Sequence, residues 1–236
     1  MRPFQNLLLA LALLAGGPVA CIPYAVGSTA QPLPAGESRT ATTVYRIPRG
    51  LDFGDDSSDS DNAPFVGLDG EYRRGLGNGA DIGFRVPSFS GLVLNYKRRI
   101  AGSDSLGAPA LSVMPGAGLV NWLSHAHVEM TVMASGRRRG GVTTYGGARV
   151  MQVVPLEPDA RRDTPTAGGY AGVRLGGDGG GVYIELGVYH DKSTLGLRRS
   201  NVITVPSITL DGDLLDALRD AGILGPLGGP RRRPRW

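Results

Sequence analysis

The chain is poor in several residue types, and each shortage excludes something. It has one cysteine and three histidines in 236 residues, and aromatics make up only 6%. A single cysteine allows no disulfide within the monomer. Net charge is +4 with a pI near 9.5, yet no platform of interleaved aromatic and basic residues is present, which argues against nucleic acid as a partner. No Ser-His-Asp order, phosphate loop or spaced carboxylate pair stands out. The glycine run Gly176–Gly181 leaves one strand pattern and enters another, so it reads as a hairpin and not as a nucleotide loop. The apolar run Leu7–Ala15 (LLLALALLA) is too short to span a bilayer as a permanent helix.

What is abundant is glycine, with 37 residues, and alternation. Pro64–Ile100 reads PFVGLDGEYRRGLGNGADIGFRVPSFSGLVLNYKRRI, three alternating runs joined by two turns. Ala80, Ile82, Phe84 and Val86 share one side while Asp81, Gly83 and Arg85 share the other. Successive strand side chains point to opposite faces, so each run is a strand with one apolar and one polar face. Leu76-Gly77-Asn78-Gly79 supplies the positive φ of a tight hairpin turn.

The same pattern recurs over residues 40–47, 109–120, 125–134, 142–153, 167–175, 182–190 and 201–210, with no interleaved helix. The expected fold is therefore all-β: an antiparallel up-and-down β-barrel of about 8–10 strands over residues 40–210. Residues 21–39 lack periodicity and read as a flexible tether. Asp52–Asn62 (DFGDDSSDSDN) is an acidic, Ser-rich stretch that lacks the glycine and terminal Glu of a calcium loop, so a solvated loop is expected there. At Asp211–Leu224 the apolar period changes to helical spacing, with Asp211 or Asp213 available as cap, so a short C-terminal amphipathic helix is expected. Residues 225–236 form a basic tail expected to be disordered.

At the N-terminus, Arg2 precedes the apolar core, and Gly16-Gly17-Pro18-Val19-Ala20 makes a small-residue exit before Cys21, so residues 1–20 read as a cleaved signal. Val19, Ala20 and Cys21 resemble the lipobox of bacterial lipoproteins, although Pro18 stands where that family usually has Leu. The resemblance implies lipidation of Cys21, and Ile22 after it implies sorting to the outer membrane.

Alternation alone leaves the barrel's orientation open, since a soluble barrel with an apolar interior gives the same pattern. The polar side carries both signs of charge: Asp69, Glu71, Arg73, Asp81, Arg85, Lys97, Arg99, Glu129, Arg149, Arg174 and Glu185. Such a set can neutralise itself in a narrow lumen. Together with the export signal, the chain resembles the small outer-membrane β-barrel proteins and lipoproteins of Gram-negative bacteria. The departures are Pro206 in the last strand and a terminal Trp236 that follows an arginine-proline tail. The resemblance implies an exported, lipid-anchored outer-membrane protein without enzymatic activity, serving structure, envelope interaction or narrow-channel conduction.

Two alternatives remain. A soluble periplasmic lipoprotein barrel could hold an apolar ligand. A metal-dependent surface enzyme could use His125, His127 and Glu129 on one strand face, with His190 as a third ligand. The plainer reading places His125 and His127 in the same lumenal network as the charges above, with no metal and no cofactor. The expected partners are membrane lipid, through the acyl anchor and the barrel exterior, and lipid phosphates at the basic turn Arg137, Arg138 and Arg139.

Overall fold

The computed structural model describes residues 22–47, 65–103, 105, 107–156, 165–191 and 201–212. They form ten strands: β1 Ser38–Ile47, β2 Phe65–Gly77, β3 Ala80–Pro87, β4 Leu92–Gly102, β5 Ala110–Val120, β6 His125–Ser135, β7 Val142–Pro155, β8 Thr166–Leu175, β9 Gly181–Asp191 and β10 Asn201–Asp211. Every strand is antiparallel to its sequence neighbours, and β1 pairs with β10, so the sheet closes on itself. Closure leaves no unpaired sheet edge.

The seam between β1 and β10 is short, running from Ala41↔Asp211 to Tyr45↔Ser207. It stops one residue before Pro206, which has no N–H to give to a ladder. On its other side, β10 pairs with β9 along its whole length, from Asn201↔Asp191 to Asp211↔Gly181. The proline thus shortens the seam without opening the barrel.

The expected C-terminal helix is a correction. Asp211 is the last residue of β10, Gly212 turns with φ 86°, and no helix occurs among the described residues. The reason is local: Asp211 points inward, where Arg39 (3.0 Å) and the Tyr183 hydroxyl (3.1 Å) meet its carboxylate. A residue read as a helix cap instead ends a ladder. Residues 213–236, which hold the rest of the expected helix and the basic tail, lie outside the described residues, as does the acidic stretch 52–62.

The two barrel ends differ. At one, the hairpins 78–79, 103–109, 136–141 and 176–180 connect strands, and β1 begins and β10 ends there; this is the turn end. At the other, the loop end, lie the longest connections, 48–64, 156–165 and 192–200, together with 88–91 and 121–124. Asn78 takes φ 52° between Gly77 and Gly79, as the turn residues at 76–79 require.

The pleat sorts the side chains as the alternation demands, and it settles which face is which. Ile82 is 45% exposed and Phe84 40%, on the outside, whereas Asp81 and Arg85 are buried inside. Val128, Met130, Val132, Ile184, Leu186, Val188 and Ile208 continue the outer apolar surface. Outward-facing charged side chains on the described strands are Arg46, Arg74 and Arg98, near strand ends, with Arg98 reaching the Asn78 carbonyl at 2.6 Å. Phe89, Trp122 and Leu123 are exposed at the loop end.

Candidate functional site

The site is the lumen, and it is occupied. Residues 22–33, expected from the sequence to be part of a tether, run through the barrel from the loop end to the turn end, with Tyr24, Ala25, Val26 and Ala30 buried. At the turn end, Gly36 N–H meets the Gly75 carbonyl (3.0 Å) and Gly75 N–H meets Glu37 (2.8 Å), and the chain reverses into β1. At the loop end, the Tyr45 hydroxyl donates to the Ile22 carbonyl at 2.5 Å. Nothing charged stands between Ile22 and Gly36. An uncharged strand-like segment can therefore lie among buried charges without adding to them.

The barrel wall packs Tyr24, Ala25, Val26 and Ala30 of this strap into apolar clusters and bonds its backbone. Arg85 on β3 donates to the Ala25 (2.7 Å) and Val26 (3.0 Å) carbonyls. Arg149 on β7 donates to the Tyr24 carbonyl at 3.0 Å, and the Tyr189 hydroxyl reaches the same oxygen at 2.9 Å. Glu185 on β9 accepts the Val26 (2.8 Å) and Gly27 (3.0 Å) N–H groups. Lower down, Lys97 Nζ meets Ser28 Oγ (2.7 Å) and the Thr29 carbonyl (3.0 Å), Ser112 bonds the Ala30 carbonyl, and Asp81 accepts the Leu33 N–H at 3.0 Å. Hydrogen bonds to charged groups contribute roughly 1.5–3 kcal/mol each.

The same wall charges also pair with each other. Glu71 lies between Arg73 (2.6 Å) and Arg85 (2.8 Å), Arg73 also grips Asp81, and Glu129 takes both Arg149 and His127 (3.0 Å). Nearer the turn end, Asp211 stands between Arg39 (3.0 Å) and Arg174 (3.7 Å). Buried charges are tolerable when paired and hydrogen-bonded, and these pairs meet that condition, while Asp69 and Glu185 are met by hydroxyl and backbone N–H donors instead.

Small open spaces remain beside the strap. Two voids beside it measure about 40 and 50 Å³, one lined by Ser28, Leu33, Arg73, Asp81 and Lys97, the other nearer Arg138 and Asp178 at the turn end. Spaces of this size hold a few waters, not a solute. Asp178 itself lies on the turn outside, 2.5 Å from Arg138, and that guanidinium holds its carboxyl below the usual carboxylate range.

The sequence-derived site residues fall into three groups. Asp69, Glu71, Arg73, Asp81, Arg85, Lys97, His127, Glu129, Arg149 and Glu185 are buried in the lumen. Arg99 points inward at the turn rim and donates to the Ser103 carbonyl at 2.8 Å, while His125 sits at the loop rim near Ser124 (2.7 Å) and Asn121 (3.2 Å). His190 points outward, away from both other histidines, so the three histidines of the alternative metal reading are not brought together. No group of three potential metal ligands exists among the described residues.

Sequence reasoning missed Arg39, Asn95 and Asp211 in the network, and it missed the strap altogether. The uncharged run from Ile22 to Gly36 was the available signal, in a chain that is 19% charged.

No protein-family model matches the chain, and no curated protein sequence matches it. Among solved structures it is similar to the outer membrane protein OprG from Pseudomonas aeruginosa, at 10% identity and a TM-score of 0.32, over 78% of this chain and 97% of that one. It is also similar to an outer membrane channel from Pseudomonas putida F1, at 11% identity and a TM-score of 0.39, over 80% of this chain and 99% of that one. By its own geometry, the chain is a closed ten-stranded barrel with an apolar exterior, a charge-paired interior and its own residues 22–33 in the lumen.

Proposed function

We propose that the protein is an outer-membrane β-barrel, exported and anchored by a lipid on Cys21, with a structural or envelope-interaction role and no enzymatic activity. One observation carries the reading. The outward rows are mostly apolar, as Ile82, Phe84, Leu94, Met130 and Leu186 illustrate, with Thr40 and Thr42 on β1 as the main polar stretch, while most charges point into the lumen. In water that exterior would be a large apolar patch; around a bilayer core it is the side that lipid requires. The strap argues against open conduction while it stays in place.

Arg137 and Arg139 are exposed on the turn-end hairpin, which supports contact with lipid phosphates there, whereas Arg138 is engaged by Asp178. The soluble barrel with an apolar ligand is not retained, because residues 22–33 of the chain itself lie in the lumen.

The test is membrane retention without the anchor. With a cleavable signal in place of residues 1–21, the barrel should remain in outer-membrane vesicles through a urea wash. Release as a folded, soluble protein would sink the proposal.

A further inference from the structure

We propose that the lumen is a binding site for an extended, uncharged polypeptide read through its backbone, with residues 22–33 as its resident ligand. This goes beyond the membrane assignment and does not depend on it.

Three features support the proposal. First, the strap is not a strand of the barrel; no ladder includes it. Second, the central contacts are to backbone atoms that any peptide presents: Arg85 to the Ala25 and Val26 carbonyls, and Glu185 to the Val26 and Gly27 N–H groups. Third, the pairs Arg85–Glu71 and Arg149–Glu129 run from wall to wall, so these charges keep partners when the strap leaves. The lumen is therefore a preorganised surface of donors and acceptors, the condition under which a peptide binds at low reorganisation cost. Its side-chain demands are at Gly27, where φ is 57° and a Cβ would collide with Thr209 Oγ1, and at Tyr24, Val26 and Ala30, which pack into apolar clusters of the wall.

The experiment uses the full-length protein with a protease recognition sequence inserted after Gly36, an exposed turn position with open space around it. After folding in detergent and cleavage, the fragment ending at residue 36 should co-elute with the barrel. It should leave in a urea wash that keeps the barrel's heat-modifiable migration. A labelled synthetic peptide of residues 22–36 should then bind the washed barrel. N-methylation at both Val26 and Gly27, which removes the two N–H donors, should weaken binding by about tenfold or more, while Val26→Ala in the peptide changes it only a few-fold. A fragment released only as the barrel unfolds would make the strap an integral part of the fold and overturn the proposal. So would a washed, folded barrel that takes up no peptide, or one that binds the N-methylated peptide equally well.

Discussion

The carboxylate of Glu185 takes the backbone N–H of Val26 at 2.8 Å, across 159 positions of chain. It also takes Gly27 N–H and the Tyr145 hydroxyl, each at 3.0 Å, so one side chain joins the strap to the β7 and β9 walls. Glu185→Ala strands three donors in a buried place and should destabilise the folded protein by about 3–5 kcal/mol. Glu185→Gln keeps one acceptor oxygen and should lose roughly half of that. Urea midpoints in detergent check both, and equal losses in the two variants would contradict the shared-acceptor role.

Gly27 is the position where the strap has no freedom. Its left-handed φ and the approach of Thr209, whose hydroxyl is shared with Thr43 at 2.8 Å, leave no room for a side chain. Gly27→Ala should cost about 2–4 kcal/mol, combining backbone strain with overpacking. Thr209→Ala in the same protein should restore the packing part and leave the strain, about 1–2 kcal/mol. Strictly additive losses in that double-mutant cycle would show that the two residues do not clash.

The barrel was legible because period-two alternation is local: Ile82, Phe84 and Val86 announce their shared face with no knowledge of the rest of the chain. Orientation was not legible from periodicity, because reversing every strand leaves the pattern unchanged, and only the balanced charges on the polar rows leaned toward a lumen. The strap was missed for a different reason. It has no period at all, since a segment surrounded on every side by wall has no solvent face to mark. Asp211 misled in the opposite way: its helical-looking neighbours suggested a cap, while its partners Arg39 and Tyr183 are far away in sequence. Long-range pairing of this kind leaves no trace in a window of residues.

Neighbouring residues on β3 test the orientation. Phe84 is 40% exposed on the outer face between Tyr72 and Leu94, while Arg85 is buried against Glu71 and two strap carbonyls. In a protein with Cys21 replaced, Phe84→Cys should react with a lipid-soluble thiol probe in intact outer membranes, and Arg85→Cys should not. Phe84→Arg should impair membrane assembly, at a cost of about 2–4 kcal/mol near mid-bilayer. Arg85→Gln should lower stability yet leave the folded fraction in the membrane, which separates a lumenal defect from a lipid-facing one. A soluble, folded Phe84→Arg protein with normal yield would contradict the lipid-facing assignment.

The last prediction joins the anchor to the strap. If Cys21 is acylated, labelled palmitate should mark the protein and Cys21→Ser should remove the mark. The strap adds a statement about sidedness. Ile22 lies at the loop end, held there by the Tyr45 hydroxyl, whereas β1 starts at the opposite end. Outer-membrane barrels turn their short hairpins to the periplasm and their longer loops outward. On the proposed outer-membrane reading, the long connections 48–64, 156–165 and 192–200 would put Ile22 on the cell-surface side. A protease site inserted between Cys21 and Ile22 should be cut on intact cells, separating the acylated residue from the barrel. A second site inserted in the 78–79 hairpin should resist until the outer membrane is permeabilised. Cleavage in the reverse order at both sites would invert the barrel. Protection of both sites on intact cells would mean that the strap does not carry the N-terminal side of the chain across the membrane.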